Sequence, residues 1–566
     1  LMKIFVCVLL CCLVGVAFVQ GGSFSERHES EVGTIMKFLQ KIEERILAAR
    51  NVDVSSLNKL KSTAQAALEE YQKAKAQVGA SEAARVKKVR AEEKELLLIR
   101  KIKSVLLNDV GTATHPAMNC EEALKISGLN SGTFYIVKEG EPKKAFCSIS
   151  SGLDRTVVMW HGWCNAHNRG GGWQSMCLSN TGFASDGLDR WLAREGVTWK
   201  VLKAGWYRTN AWAMSHNNGW THSHMRISTN RYNFGSAHTI AHSWRSKSID
   251  FTAPYKIGDS ITFQMHPNGG NRYAWHANPP YNSMEVEYVG DKVKAYSGGC
   301  GSHGRATGWQ QLCLNKQHYN TLGDVAAVRS NGFDIKKGGF YRLNVWAIQH
   351  GSETQRRARI MINGQIHRYS YDFAKGGWSD AVMRELVKLS PKDRITIEFQ
   401  IDSGNRYTWH SFPHNNVELI YEGEDVPALI ATCSKTSRAA NKWTPYCLDA
   451  PEINTLGNDV KIDANSGKIT VVRPGLYRVI AWATIKSDPR NWKHARLLVN
   501  GKNVAMTYTY EKGWVSHILD TTVNAAKGTT ISAEFYTKAA GFCYPSGETH
   551  QSKFSLQYIG KLQIIA

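Results

Sequence analysis

Apolar positions keep two different rhythms along this chain. Between residues 29 and 108 Val32, Ile35, Leu39, Ile42 and Ile46 step by three and four, the seam of a left-handed coiled coil. The same spacing resumes at Leu57, Leu60, Ala64, Ala67, Tyr71, Ala74 and Val78 after a break at 51–54, and a second break falls at 79–81. Two arrangements satisfy this pattern. In one, several chains wind into a stalk, with Ile35 and Ile42 at d positions favouring trimers or tetramers. In the other, helices 29–50, 56–78 and 81–107 fold into a bundle, capped by Ser55 or Ser56 and by Ser81.

From about residue 156 the rhythm becomes alternation. Tyr341, Leu343, Val345 and Ala347 alternate with Arg342, Asn344 and Trp346, and Arg394 to Phe399 alternates again. Between them Asn363-Gly364 interrupts a strand pattern as a hairpin turn does. No helix-period stretch intervenes, so strands joined by turns are expected throughout.

This β region repeats. Gly205, Tyr207, Arg208, Trp212 and Ala213 recur as Gly339, Tyr341, Arg342, Trp346 and Ala347, then as Gly475, Tyr477, Arg478, Trp482 and Ala483, at offsets of 134 and 136. Arg226, Arg359 and Arg496 fall into line within three residues, as do the closing tyrosines Tyr288, Tyr421 and Tyr558. A period so long implies tandem independent domains, since solenoids and propellers repeat every ~20–50 residues. The expected organisation is a mainly β chain with an α-helical N-terminal segment: three antiparallel β-sandwich or jelly-roll domains, 156–292, 293–425 and 426–566, after the coiled coil or helical bundle of 29–108.

The amino end and the cysteines set the compartment. Met2-Lys3, the apolar run from Ile4 to Val19 and the small residues after it have the layout of a secretory signal peptide over 1–22. Of twelve cysteines, three fall in that segment. Eight of the remainder are close neighbours: Cys120 with Cys147, Cys164 with Cys177, Cys300 with Cys313 and Cys433 with Cys447. An oxidising compartment favours pairing them. Cys543 is left over, either a buried free thiol or one half of an interchain disulfide.

Asn119, Cys120, Gly128, Ser131, Gly132, Tyr135, Phe146 and Cys147 resemble the amino-terminal subdomain of fibrinogen-like domains. The resemblance covers about thirty residues of the segment 115–155 and implies two short strands stapled by Cys120–Cys147. The sequence departs from that family after Cys147, and no fibrinogen-type ligand pocket carries over. In the larger modules, the Gly-x-Tyr strand, the Asn-Gly hairpin, the step from Leu389 to Asp393 and the closing apolar strand resemble the globular heads of the complement q subcomponent and tumour-necrosis-factor group. That resemblance implies ten-stranded jelly rolls, trimers, and a role as extracellular recognition or scaffold modules behind a stalk. The cysteine pair ahead of each module core departs from the family pattern.

Lys and Arg number 70 against 48 Asp and Glu, a formal charge of +22 over 566 residues, and most of it falls on the β modules. Such a balance excludes an acidic mineral-binding protein and favours acidic partners: sulfated polysaccharide, mucin or acidic matrix protein. Nucleic acid is not expected for a secreted chain without a recognition module. No catalytic or nucleotide-binding motif occurs, so an enzyme and a cofactor are not expected, and no stretch after residue 22 approaches the ~18 consecutive apolar residues of a membrane span. His216, His222, His224, His238 and His242 crowd the first module but lack an evident third metal ligand, and no metal is expected.

The candidate ligand residues are Arg272, Tyr273, Trp275 and His276, repeated as Arg406, Tyr407, Trp409 and His410 in a Gly-Asn loop. Either they form a platform for a sugar ring or anion, or the aromatics pack inward and the arginine pairs with a carboxylate. The expected function is a secreted, non-enzymatic matrix or scaffold protein, oligomeric and trimeric by preference, that binds acidic polysaccharide. The second reading is a lectin-like recognition protein of innate defence.

Overall fold

The structure is a computed structural model that describes residues 131–138, 141–148 and 156–562, apart from 168–171, 217–220, 231–232, 242–243, 268–274, 278–279, 306, 352–353, 375–377, 402–406, 434–436, 439–440, 539–540 and 545–551. The expected signal segment, the helical segment 29–108 and Cys120 lie outside the described residues.

Ser131–Lys138 and Glu141–Ser148 form an antiparallel hairpin. After it, each repeat builds two antiparallel sheets. In the second module the inner sheet orders Lys316–Asn320, Ala295–Gly299, Asn415–Gly423, Gly339–His350 and Trp378–Leu389. The outer sheet orders Ala326–Arg329, Gly332–Ile335, Arg394–Ile401, Thr354–Ile362 and Gln365–Ala374. These ten strands, with their crossovers between sheets, make a jelly roll. The third module repeats the order, but Gly475–Val499 and Lys502–Ala525 each run unbroken from one sheet into the other. Among the described residues the helical elements are two 3-10 turns, Leu188–Arg190 and Gly457–Asp459, and no helix is long and apolar enough to cross a membrane.

The repeated sequence landmarks are structural fixtures. Tyr207, Tyr341 and Tyr477 each donate a hydroxyl proton to the carbonyl four residues earlier, at 2.6, 2.6 and 2.7 Å. Each also packs against the closing tyrosine of its module, with ring centroids 5.2, 5.0 and 5.2 Å apart. The glycine two residues earlier has φ of 152°, 146° or 152°, and a Cβ there would come within 2.5–2.8 Å of the closing tyrosine ring. Asn363-Gly364 turns the expected hairpin with φ of 54° and 76°, and Asn500-Gly501 turns its counterpart with 51° and 74°. Cys164–Cys177, Cys300–Cys313 and Cys433–Cys447 are disulfides. Cys543 lies in the strand Gly541–Tyr544.

The modules are not independent. They belong to one compact unit, Gly111–Ala566. The reason is that each inner sheet is buried on both faces. Along Gly339–His350 the side chains of Tyr341, Leu343, Val345 and Ala347 enter the module's own core, while Arg342, Asn344 and Trp346 are buried facing the neighbouring modules. The three equivalent tryptophans are exchanged in a cycle: Trp212 packs into the core of the third module, Trp346 into that of the first and Trp482 into that of the second. The ring closes where the first module's Thr156–Trp163 pairs in parallel with the third module's Ser552–Leu562, at Thr156 with Lys561 and Val157 with Leu562.

Candidate functional site

In the Gly-Asn loops, Arg272, Tyr273 and Arg406 lie outside the described residues. Trp275 and Trp409 are buried, 2% and 6% exposed. Their indole nitrogens donate to Ala166 O at 2.8 Å and Ser302 O at 3.1 Å, which ties each loop to the adjacent disulfide-closed loop. His276 packs against His167 and Tyr281, and His410 against His303 and His414. Half-buried Tyr407 accepts a 2.6 Å hydrogen bond from exposed Arg305. Burial, then the nearby His410 and Arg305, holds His303 below its usual pKa. Among the first module's histidines, His224 packs against Trp173 and His266, while the side chains of His222, His238 and His242 lie outside the described residues.

A second arrangement recurs in all three modules on the outward face of the outer sheet. Met225 and Ile227 are buried, so the intervening Arg226 points away from the core. Its guanidinium lies 3.7 Å over the ring of Trp173, and its Nε donates to Gln264 at 2.8 Å. Arg359 lies 4.1 Å over Trp309 and donates to Glu398 at 2.6 Å; Arg496 lies 4.0 Å over Trp443 and donates to Glu534 at 2.8 Å. Each tryptophan stands four residues before the second cysteine of its disulfide, so a Trp-x-x-x-Cys signal marks all three modules. Sequence reasoning aligned the arginines as landmarks without their partners, because each tryptophan and arginine are some fifty residues apart and meet only when the outer sheet forms.

Around Trp443 the third module adds a broad aromatic surface. His494 and Tyr536 flank it at 5.8 and 5.4 Å, Tyr508 meets His494 at 4.0 Å, and Trp492 stacks on Tyr508 and Tyr510 at 4.7 and 4.3 Å. All are half-buried. Burial pushes His494 down to about 4, so the ring adds no charge at neutral pH, and the patch's guanidinium, Arg496, is paired with Glu534. Such faces stack on the C–H faces of sugars, and the guanidinium edge is a donor for sulfate or carboxylate.

Between the modules the inner faces carry a buried charge network. Arg208 contacts Asp250 at 2.8 Å, Glu285 at 3.0 Å and the third module's Asp520 at 2.9 Å. Arg342 contacts Glu422 at 3.0 Å and the first module's Asp250 at 3.1 Å. The third turn of the cycle breaks the pattern, because Arg384 stands where Asp250 and Asp520 stand in the other modules. Arg478 therefore reaches Glu287 of the first module at 2.6 Å and Glu422 of the second at 3.7 Å. Burial and then the neighbouring Asp250 raise Glu418 to about 8, and burial likewise raises Asp520. Burial works against the charge of Asp250, but Arg208, Arg342 and Arg384 outweigh it and hold that carboxyl below its usual range.

No protein-family model matches the chain, and no curated protein is similar to it. Among solved structures it is similar to crystal structures of murine APRIL at pH 5.0, 8.5 and 8.0. Identity is 12% in each case, over 23–24% of this chain and 99–100% of theirs, with a TM-score of 0.20. The likeness is a weak one, to a tumour-necrosis-factor-type jelly roll, and spans the length of one module.

Proposed function

We propose that this is a secreted, non-enzymatic scaffold protein of the extracellular matrix whose basic β modules bind acidic polysaccharide or acidic matrix protein. The observation that carries the reading is the outward-facing Trp–Arg stack repeated in every module. Three such stacks on one chain, one per module, suit a repeating polymer better than a small soluble ligand. The formal charge of +22 adds long-range attraction that salt weakens. The three disulfides suit an oxidising compartment, and the proposed helical stalk would multiply the heads into an oligomer. The complement-q-like and fibrinogen-like resemblances belong to this reading as kinship of extracellular modules.

The aromatic surface around Trp443 favours a second reading, a lectin-like protein with one discrete sugar site. Binding of a sulfated glycosaminoglycan and of neutral glycans by wild type, Arg226→Ala, Arg359→Ala and Arg496→Ala separates the two. The scaffold reading expects each substitution to weaken sulfated-polymer binding comparably, with the triple variant down roughly tenfold or more, given ~1.5–3 kcal/mol for a hydrogen bond to a charged group. The lectin reading expects loss in Arg496→Ala alone. No binding to either glycan class overturns the lectin reading and the polysaccharide half of the scaffold reading.

A further inference from the structure

The first module's histidines, which the sequence leaves without a third metal ligand, are brought into line by strand register. In the outer sheet of that module Thr221–Ser228 lies between Asn233–Ala241 and Ser260–Pro267. His224 stands directly opposite His238 on one side and His266 on the other. Directly opposed residues share a face of the sheet, with Cβ atoms ~4.5–5.5 Å apart. That face is the outward one, because the neighbouring Met225 and Met265 are buried in the core while His224 and His266 are half-buried. His222, two residues before His224, falls on the same face by the strand's period of two.

The other modules show that the fold itself does not ask for imidazole at these positions. The equivalent cross-strand rows are Tyr371, Arg357 and Gln400 in the second module and Tyr508, His494 and Tyr536 in the third. Of the three modules, the first alone carries histidine at every place in the row.

The ring centroids of His224 and His266 are 5.6 Å apart, with planes near perpendicular at 88°. One ion bonded at ~2.0–2.1 Å to a nitrogen of each ring can span that separation. His266 Nδ1 is buried without a hydrogen-bond partner, so no such bond commits that nitrogen to a protein group. Trp173 packs against both rings, at 6.0 and 5.3 Å, and holds the Arg226 guanidinium over its own face. A set of imidazoles suits zinc or copper, whereas calcium and magnesium take oxygen ligands.

We propose that His224, His238 and His266 form a binding site for one divalent transition-metal ion, zinc or copper, on the outward face of the first module. Three protein ligands leave a tetrahedral ion one further position, which His222 or an outside ligand can take. The ion needs neither the Arg226 guanidinium nor a glycan, so the site stands or falls apart from the function proposed above.

Equilibrium dialysis of the full-length protein, stripped with a chelator and then exposed to Zn2+, and separately to Cu2+, at neutral pH tests the proposal. At least one of the two metals is expected to bind saturably at one ion per chain. In His224→Phe, His238→Phe and His266→Phe, each of which keeps an aromatic ring in place, that binding should weaken by at least ~tenfold, since even changes beyond the direct ligands cost that much. Where copper binds, its electron paramagnetic resonance spectrum should show splitting from imidazole nitrogens, and a spectrum of oxygen ligands alone overturns the site. Absence of saturable binding of both metals to wild type overturns it whether or not the variants fold. Undiminished binding in variants with unchanged circular dichroism assigns the ion to other histidines and overturns the site as well.

Discussion

Arg208 sits where three buried carboxylates, Asp250, Glu285 and Asp520, converge. Replacing it with methionine removes the cation all three acids share, leaving Asp250 to Arg342 and Asp520 to Arg384, and breaking a buried ion pair from one side costs ~3–5 kcal/mol. Arg208→Met should therefore lower the urea midpoint strongly, and Arg208→Met with Asp520→Leu should recover part of the loss. Glu418 offers a test with a definite sign. Burial and the neighbouring Asp250 push its carboxyl up to about 8, from the ordinary 4.5. Between those pH values the folded state keeps a proton that the unfolded state has released, so stability falls as pH rises, by up to ~1.4 kcal/mol per pH unit. Lys247, pressed down to about 7 from 10.5, acts oppositely and only above 7, where the unfolded chain holds the extra proton. Urea midpoints from pH 5 to 7 should thus decline less steeply in Glu418→Gln than in wild type, and identical slopes would contradict the assignment.

At the scale of strands and loops, much was legible in the chain. Alternation located the strands, Asn363-Gly364 located its hairpin, and neighbouring cysteines named three disulfides, because each signal is local and acts through one turn or one sheet. The candidate loop was legible in position but ambiguous in orientation. Trp275 and Trp409 read equally as platform or core, and only the carbonyls of Ala166 and Ser302, over a hundred residues away, decide that their N–H groups face inward. Alternation also has a blind side. Arg342, Asn344 and Trp346 occupy what a half-exposed strand would give to solvent, yet they are buried, because a second protein layer covers that face. The discordant residue was Trp346, large and apolar on the polar side. Trp346→Ala should cost ~3–5 kcal/mol, the range for emptying a buried aromatic site. Cys433→Ser with Cys447→Ser, which opens a closure with a sequence separation of 14, should cost ~2–4 kcal/mol in thermal or chemical denaturation.

For the whole molecule, the long period implied independent domains, whereas the β modules belong to one compact unit whose assembly is encoded in differences among the copies. Arg384 in place of an acid, and Gln557 in place of Glu287, make the three inner faces unequal, so that each fits a particular neighbour. A three-fold ring of identical chains repeats one head-to-tail contact, whereas covalent linkage here supplies three distinct contacts at fixed stoichiometry. The consequence concerns oligomerisation. Because the inner faces are already consumed within the chain, a multimer would have to use other surfaces, and the helical segment 29–108 is the expected place. Light scattering of residues 111–566 should give the mass of one chain, and addition of 26–110 should raise it if that segment is a stalk. The second module alone, 293–425, would expose Arg342, Asn344, Trp346 and Glu418 together and should precipitate or self-associate. A monodisperse, cooperatively folding single module would show that the inner faces tolerate water and that the buried charges do not govern assembly.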